Sequence, residues 1–114
     1  MTDCLFCRIA AGEIPATVVY ETDDVLAFRD INPKAPVHVL VIPKTHYADM
    51  AALSADGALA AAVLAGVAAV AISEGLADTG FPTIFNTGPD SGTEVAHAHA
   101  HVLGGRFLGA MVGS

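Results

Sequence analysis

His97-Ala98-His99-Ala100-His101-Val102-Leu103-Gly104-Gly105 (HAHAHVLGG) is the stretch on which the reading of this chain turns. Imidazoles at alternate positions suit a β-strand, where residues i, i+2 and i+4 project from one face. A helix would scatter them, with consecutive members about 200° apart. Ala98 and Ala100 then point to the opposite face with almost no bulk, and Val102 and Leu103 carry the strand onward. Three of the five histidines in the chain are gathered here, which concentrates the chemistry in one place.

Outward from that strand, Thr87 to Thr93 (TGPDSGT) is a glycine-rich turn preceded by a strand over Pro82 to Asn86. Further back, His38 to Pro43 (HVLVIP) is continuously apolar after its first residue and predicts a central strand buried on both faces. Ser54 is a plausible N-cap for a long helix reaching about Leu76, apolar nearly all round, which predicts packing on a sheet and against a second subunit. Residues 4–11 read as a short helix ended by Gly12, with Pro15 just beyond. Thr17 to Tyr20 and Val25 to Arg29 form a hairpin pattern around Glu21-Thr22-Asp23-Asp24. Asp30 to Pro36, with two prolines, is a loop. No repeat or linker interrupts residues 1–114, so a single domain is expected. Strands, a helix, then two more strands give an α+β fold with a mostly antiparallel sheet, one short N-terminal helix and one long central helix.

Composition narrows the function. At 114 residues and 54% hydrophobic the chain can bury a sizeable core. Acids outnumber bases twelve to five, for a net charge of −7. That balance argues against a nucleic-acid polymer as partner, which needs clustered Lys and Arg, but leaves room for a single nucleotide. The start, MTDCLFCRIAAGEIP, lacks the basic and apolar regions of a signal peptide. The longest apolar run, Ala58 to Ile72, is shorter than the roughly 20 residues that span a bilayer. The expectation is a soluble cytoplasmic protein with no membrane contact and no organic cofactor.

Two clusters carry the candidate chemistry. The three histidines admit a water-activating metal site, although same-face neighbours about 6–7 Å apart converge poorly on one ion. They also admit a polar strand face, or nucleophilic catalysis at phosphorus in which one imidazole attacks while its neighbours donate hydrogen bonds and move protons. The Cys4-x-x-Cys7 pair fits a zinc half-site, a redox pair or two packed thiols. His46, in the loop after the central strand, is on position alone an ordinary surface histidine.

The chain resembles the histidine triad (HIT) family over nearly its whole length. The resemblance is carried by HAHAHVL, by CLFCRIAAGEIP, by FRDINPKAPVHVLVIPKTH and by FNTGPDSGTEVAHAHAHVLGGR. Leu103-Gly104-Gly105-Arg106 is similar to the Hint-like branch, of the bacterial type with an N-terminal CxxC; the Fhit-like branch usually continues with a proline. The resemblance implies a homodimeric hydrolase acting at the α-phosphate of purine nucleoside phosphoramidates, or related nucleoside monophosphate adducts, through a nucleotidyl-histidine intermediate. A dinucleoside polyphosphate hydrolase and a zinc-stabilised nucleotide-binding protein with vestigial activity are the alternatives.

By the same resemblance His99 would be the nucleophile, His101 would hold an α-phosphate oxygen, and His38 would join the proton network; His97 completes the triad. Asn86, Gly92 and Thr93 would position the phosphate. Asp30 would bind the ribose, with Ile31 beside it. Leu5, Phe6, Ile9, Phe28 and Leu40 would form the slot for the base. CxxC-bearing relatives bind structural zinc, which implies Cys4, Cys7, His46 and His97 as ligands here. Two departures stand out: Thr93-Glu94 replaces the branch's Gln-Ser, and the C-terminal RFLGAMVGS lacks its tryptophan. The first bears on leaving-group preference, the second on substrate selectivity.

Overall fold

β-branched and aromatic residues on either side of Thr22-Asp23-Asp24 form a hairpin of β1 (Val18–Glu21) and β2 (Val25–Arg29). The Thr22 hydroxyl closes the turn by accepting from the amides of Asp24 and Val25. The computed structural model describes residues 4–93 and 95–109. β3 (Val37–Pro43) is central and, from His38 onward, buried, as its continuous apolar run predicts. With β4 (Thr83–Phe85) and β5 (Ala100–Gly104) the sheet order is β1-β2-β3-β5-β4, every pairing antiparallel. The α+β class and antiparallel sheet read from the sequence are the observed ones.

The helical region departs from the expectation at one place. Ser54 does not cap a single long helix. α2 (Met50–Leu53) is capped by Asp49, and α3 (Gly57–Ser73) begins after Asp56, whose carboxylate accepts from the Leu59 amide. Aspartate competes effectively for the exposed amides of a first turn. The Ser54 hydroxyl instead bonds back to the Ala51 carbonyl at 2.6 Å and closes α2. Gly75, at φ +78°, ends the region, so Leu76 lies beyond the helix. The short helix α1 (Leu5–Ala10) is capped by the Cys4 sulfur, which accepts from the Cys7 amide.

The period-2 alternation of the strands divides the core into two layers. Val25, Ala27, Val39, Val41, Ala100 and Val102 face α3 and pack against Val63, Val67 and Val70. Close approach is needed here: a Cβ on Gly66 would sit 3.1 Å from Val25 and 3.2 Å from Val41. On the opposite face Leu26, Phe28, Leu40 and Ile42 pack with Phe6 of α1. One cross-strand row on this second face runs Phe28, Leu40, His101, Ile84. α1 covers one side of that face, and the histidines lie along the rest. Among the described residues no helix is long and apolar enough to cross a membrane.

Candidate active site and adjoining metal centre

Only the third histidine of the motif lies in a ladder strand. β5 starts at Ala100, so His97 and His99 precede it in irregular chain, and the three rings do not form one uniform ridge. Ala98 and Ala100 do turn to the α3 side, as their alternation requires. Two backbone carbonyls then set the rings. The His99 Nδ1–H donates to the His97 carbonyl at 2.7 Å, and the His97 Nε2–H donates to the Pro43 carbonyl at 2.8 Å. A neutral imidazole has one N–H, so each bond fixes the tautomer and leaves the other nitrogen with a bare lone pair. The bare Nε2 of His99 is free to act as a nucleophile, and the bare Nδ1 of His97 is free to act as a ligand.

A second chain of donors ends at His101. The Lys34 amide donates to His38 Nδ1 at 3.1 Å, which places the His38 proton on Nε2. That nitrogen lies 2.9 Å from His101 Nδ1 and 3.4 Å from Asp30 Oδ2. With Nδ1 accepting, His101 carries its proton on Nε2; the Asn86 side-chain nitrogen Nδ2, also a donor, stands 3.4 Å from it, so the two do not bond to each other and both are left to donate to a third group. The arrangement delivers a hydrogen-bond donor beside the bare nitrogen of His99, whose ring centre is 4.8 Å from that of His101. Asp30, His38 and His101 converge closely enough to suggest a cation site. The Lys34 amide argues against one, because His38 would have to surrender its only ring proton to coordinate through Nε2.

The other nitrogen-sulfur cluster has the opposite character. Cys4, Cys7, His46 and His97 bring one donor atom each within 4.8 Å of one another. His97 Nδ1 lies 3.4 and 3.5 Å from the sulfurs of Cys4 and Cys7, and 3.1 Å from His46 Nδ1, which is 3.3 Å from the Cys7 sulfur. Tetrahedral zinc with Zn–S of about 2.3 Å and Zn–N of about 2.0–2.1 Å separates such atoms by about 3.3–3.6 Å. The residues present therefore fit a closed Cys2His2 site, and the Pro43 carbonyl orients the His97 ring as a metal ligand requires.

The HIT domain family matches residues 11–108. The chain belongs to the HIT family. Purine nucleoside phosphoramidase of Escherichia coli strain K12 is 43% identical over 111 residues, spanning 96% of this chain and 93% of that protein. A 14 kDa zinc-binding protein of Brassica juncea is 44% identical over 109 residues, spanning 93% of this chain and 96% of its own. The crystal structure of a HIT family hydrolase from Legionella pneumophila Philadelphia 1 matches with a TM-score of 0.92 at 47% identity, covering 97% of this chain and 100% of that one.

The remaining residues read from the HIT pattern fall into three groups. Phe6, Phe28 and Leu40 are buried together and form a filled apolar floor, with Phe6 edge-on to His99 at 5.0 Å. Ile9 packs against that cluster, whereas Leu5 is 44% and Ile31 99% exposed, so these two have surface left to bury on a ligand. Asp30 accepts from the Asn32 amide through Oδ1, and its other oxygen faces His38. In the turn, Gly92 takes φ +78° and its amide already donates to the Pro89 carbonyl; the Thr93 hydroxyl is 3.5 Å from the Val95 carbonyl. Glu94 lies outside the described residues. The Lys34 amide and the Pro43 carbonyl, which fix two tautomers, went unread in the sequence because a backbone group leaves no residue signature.

Burial sets the charge state of this HIT site. It lowers His38 against the upward pull of Asp30, and it lowers His97. His101 is pushed down to about 4 by burial, with His99 and His38 adding to the effect. Two outcomes are expected. Protein purified without chelator contains about one zinc per chain by elemental analysis, and Cys4→Ser lowers both zinc content and melting temperature; metal-free protein of unchanged stability would refute this centre. The unfolded chain protonates at the ordinary value of about 6.5, before the folded His101 does. His101 thus contributes stability above about 6.5 that is lost as pH falls toward about 4. Urea unfolding at pH 7 and pH 5 should show wild type losing more stability than His101→Asn.

Proposed function

We propose that the chain is a nucleotide hydrolase that cleaves purine nucleoside phosphoramidates, or closely related adducts, at the α-phosphate. The observation that carries this reading is the bare His99 Nε2 beside the proton-bearing His101 Nε2, each fixed by a backbone hydrogen bond or a chain of them. The purine nucleoside phosphoramidase among its relatives supports the same substrate class.

In this mechanism His99 Nε2 attacks the α-phosphorus and forms a P–N bond as the bond to the leaving nitrogen breaks. The departing nitrogen takes a proton from the medium and leaves as the amine. His101 Nε2–H and the Asn86 carboxamide hold a non-bridging oxygen as charge builds on it, and His38 fixes the donor's direction. Because His101 stays neutral, it acts as a directed dipole. Water then attacks the phosphorus, the bond to His99 breaks, and a nucleoside monophosphate is released. Asp30 and Ile31 bind the ribose, Leu5, Phe6, Ile9, Phe28 and Leu40 bind the base, and the Gly92–Thr93 turn shapes the phosphate end. Cys4, Cys7, His46 and His97 would hold zinc, which when bound supplies structural anchoring and, with four protein ligands, no open position for water.

The exposed Leu64 and Ile72 on α3, 58% and 71% accessible, support a homodimer, and the two free cysteines support a reducing cytoplasmic setting. Sedimentation should give twice the chain mass; a monomer at micromolar concentration would count against that assembly. Incubation with adenosine 5′-phosphoramidate should release AMP. His99→Gly should reduce the rate by at least roughly 10³-fold, and His101→Ala by about 10²-fold. Faster cleavage of diadenosine polyphosphates would favour the polyphosphate reading, and binding without turnover would leave only a nucleotide-binding module.

A further inference from the structure

The five basic side chains of this acidic protein are not equally committed. Arg8 lies 3.5 Å from Glu13, Arg29 makes two 2.9 Å hydrogen bonds to Glu74, and Lys44 sits 2.7 Å from Glu21. Lys34 and Arg106 have no carboxylate partner among the described residues. Lys34 Nζ donates to the Asn32 carbonyl and Arg106 Nη1 to the Phe107 carbonyl. Both line one cavity of about 270 Å³, whose apolar wall includes Ile84, Leu103 and Leu108.

That cavity adjoins the reacting centre. The cross-strand row Phe28, Leu40, His101, Ile84 steps about 4.8 Å per strand across one face of the sheet. Phe28 and Leu40 belong to the apolar floor on one side of His101, and Ile84 stands on the other. Leu103 follows His101 by two residues, about 6–7 Å along β5. A substrate with its base over the floor and its α-phosphorus at His99 and His101 would extend its leaving group toward Ile84 and Leu103. We propose that this cavity is the leaving-group subsite, and that Lys34 and Arg106 make it select leaving groups bearing a second anion, either a carboxylate or a further phosphate. The proposal rests on the nucleotide-hydrolase reading above. A carboxylate on the carbon next to the departing nitrogen lies three bonds from phosphorus, within roughly 5 Å, which matches the one-strand step from His101 to Ile84 at the cavity wall. Both side chains are exposed at the rim of the cavity, so each contributes a modest, salt-dependent attraction and the two together favour an anion between them.

The test compares AMP linked through nitrogen to glycine with AMP linked to glycinamide, which differ in one negative charge. Wild type should cleave the glycine adduct with kcat/KM about tenfold higher. The double variant Lys34→Met/Arg106→Met should bring that ratio below about twofold. Any substitution except proline keeps the Lys34 amide that orients His38, and the ratio cancels a general loss of activity. Lys34→Arg/Arg106→Lys should retain the preference. The phosphate arm is the affinity of ADP relative to AMP: a tenfold gain erased in the double variant assigns the subsite to phosphate. The subsite is overturned if wild type discriminates neither pair, or if the discrimination survives loss of both charges. Should the adducts bind without being cleaved, the hydrolase reading fails. The calorimetric affinities of the same two adducts, in wild type and double variant, then decide the subsite by the same tenfold criterion.

Discussion

The 2.7 Å hydrogen bond from His99 Nδ1–H to the His97 carbonyl joins the two halves of this molecule's chemistry. The side chain of His97 belongs to the Cys4, Cys7 and His46 cluster, while its carbonyl orients the ring of His99, the proposed nucleophile. Its own ring is held by the Pro43 carbonyl at the end of the central strand. Misplacing the His97 backbone would therefore free the other His99 tautomer or loosen the ring altogether. The cluster joins α1 to the chain just before β5 and so bears on the position of His99, whose ring Phe6 of α1 braces from its edge.

The strand period explains how one short sheet serves both stability and the candidate site. Alanines at 98 and 100 let α3 cover one face, leaving the other for imidazoles and the apolar floor. Placing the histidines at the same level as Phe28 and Leu40 buries them, which keeps His38 and His101 neutral. A neutral imidazole is a donor whose direction depends on its tautomer, so the design shifts the burden from charge to orientation. Backbone groups of Lys34, His97 and Pro43 supply that orientation without adding any titratable group.

Much of this was legible in the sequence for physical reasons. The apolar run HVLVIP has no polar face to expose, so a central strand follows, and alternation in HAHAHV predicts which side the alanines take. Pattern and spacing singled out CxxC, although alone they left zinc, redox and packed thiols open; resemblance to CxxC-bearing relatives added His46 and His97. The caps of the helical region misled, since Ser54 and Asp56 are both competent N-caps and only the fold shows which of them meets free amides. Strand pairing begins at Ala100: the His97 amide and carbonyl bond to the Val95 carbonyl and the His99 ring, the Ala98 amide bonds to the Tyr47 carbonyl, and periodicity does not register that loss. Tautomers fixed by carbonyls are the least legible of all, because every residue has a carbonyl.

Net charge makes the remaining point. An enzyme of net charge −7 draws no phosphate toward it by its overall field. On the proposed function, affinity for a nucleotide arises locally, from directed donors at His101 and Asn86 and from cations that the protein has left unneutralised. Among the described residues three of its five basic groups are tied to glutamates, and the two that are not line the same cavity, the proposed leaving-group subsite. Pairing either one with a surface carboxylate would have been a small change in sequence worth only about 0–1 kcal/mol of stability. Leaving both unpaired forgoes little stability, and places the only uncommitted positive charge among the described residues where a second anion on the substrate would arrive.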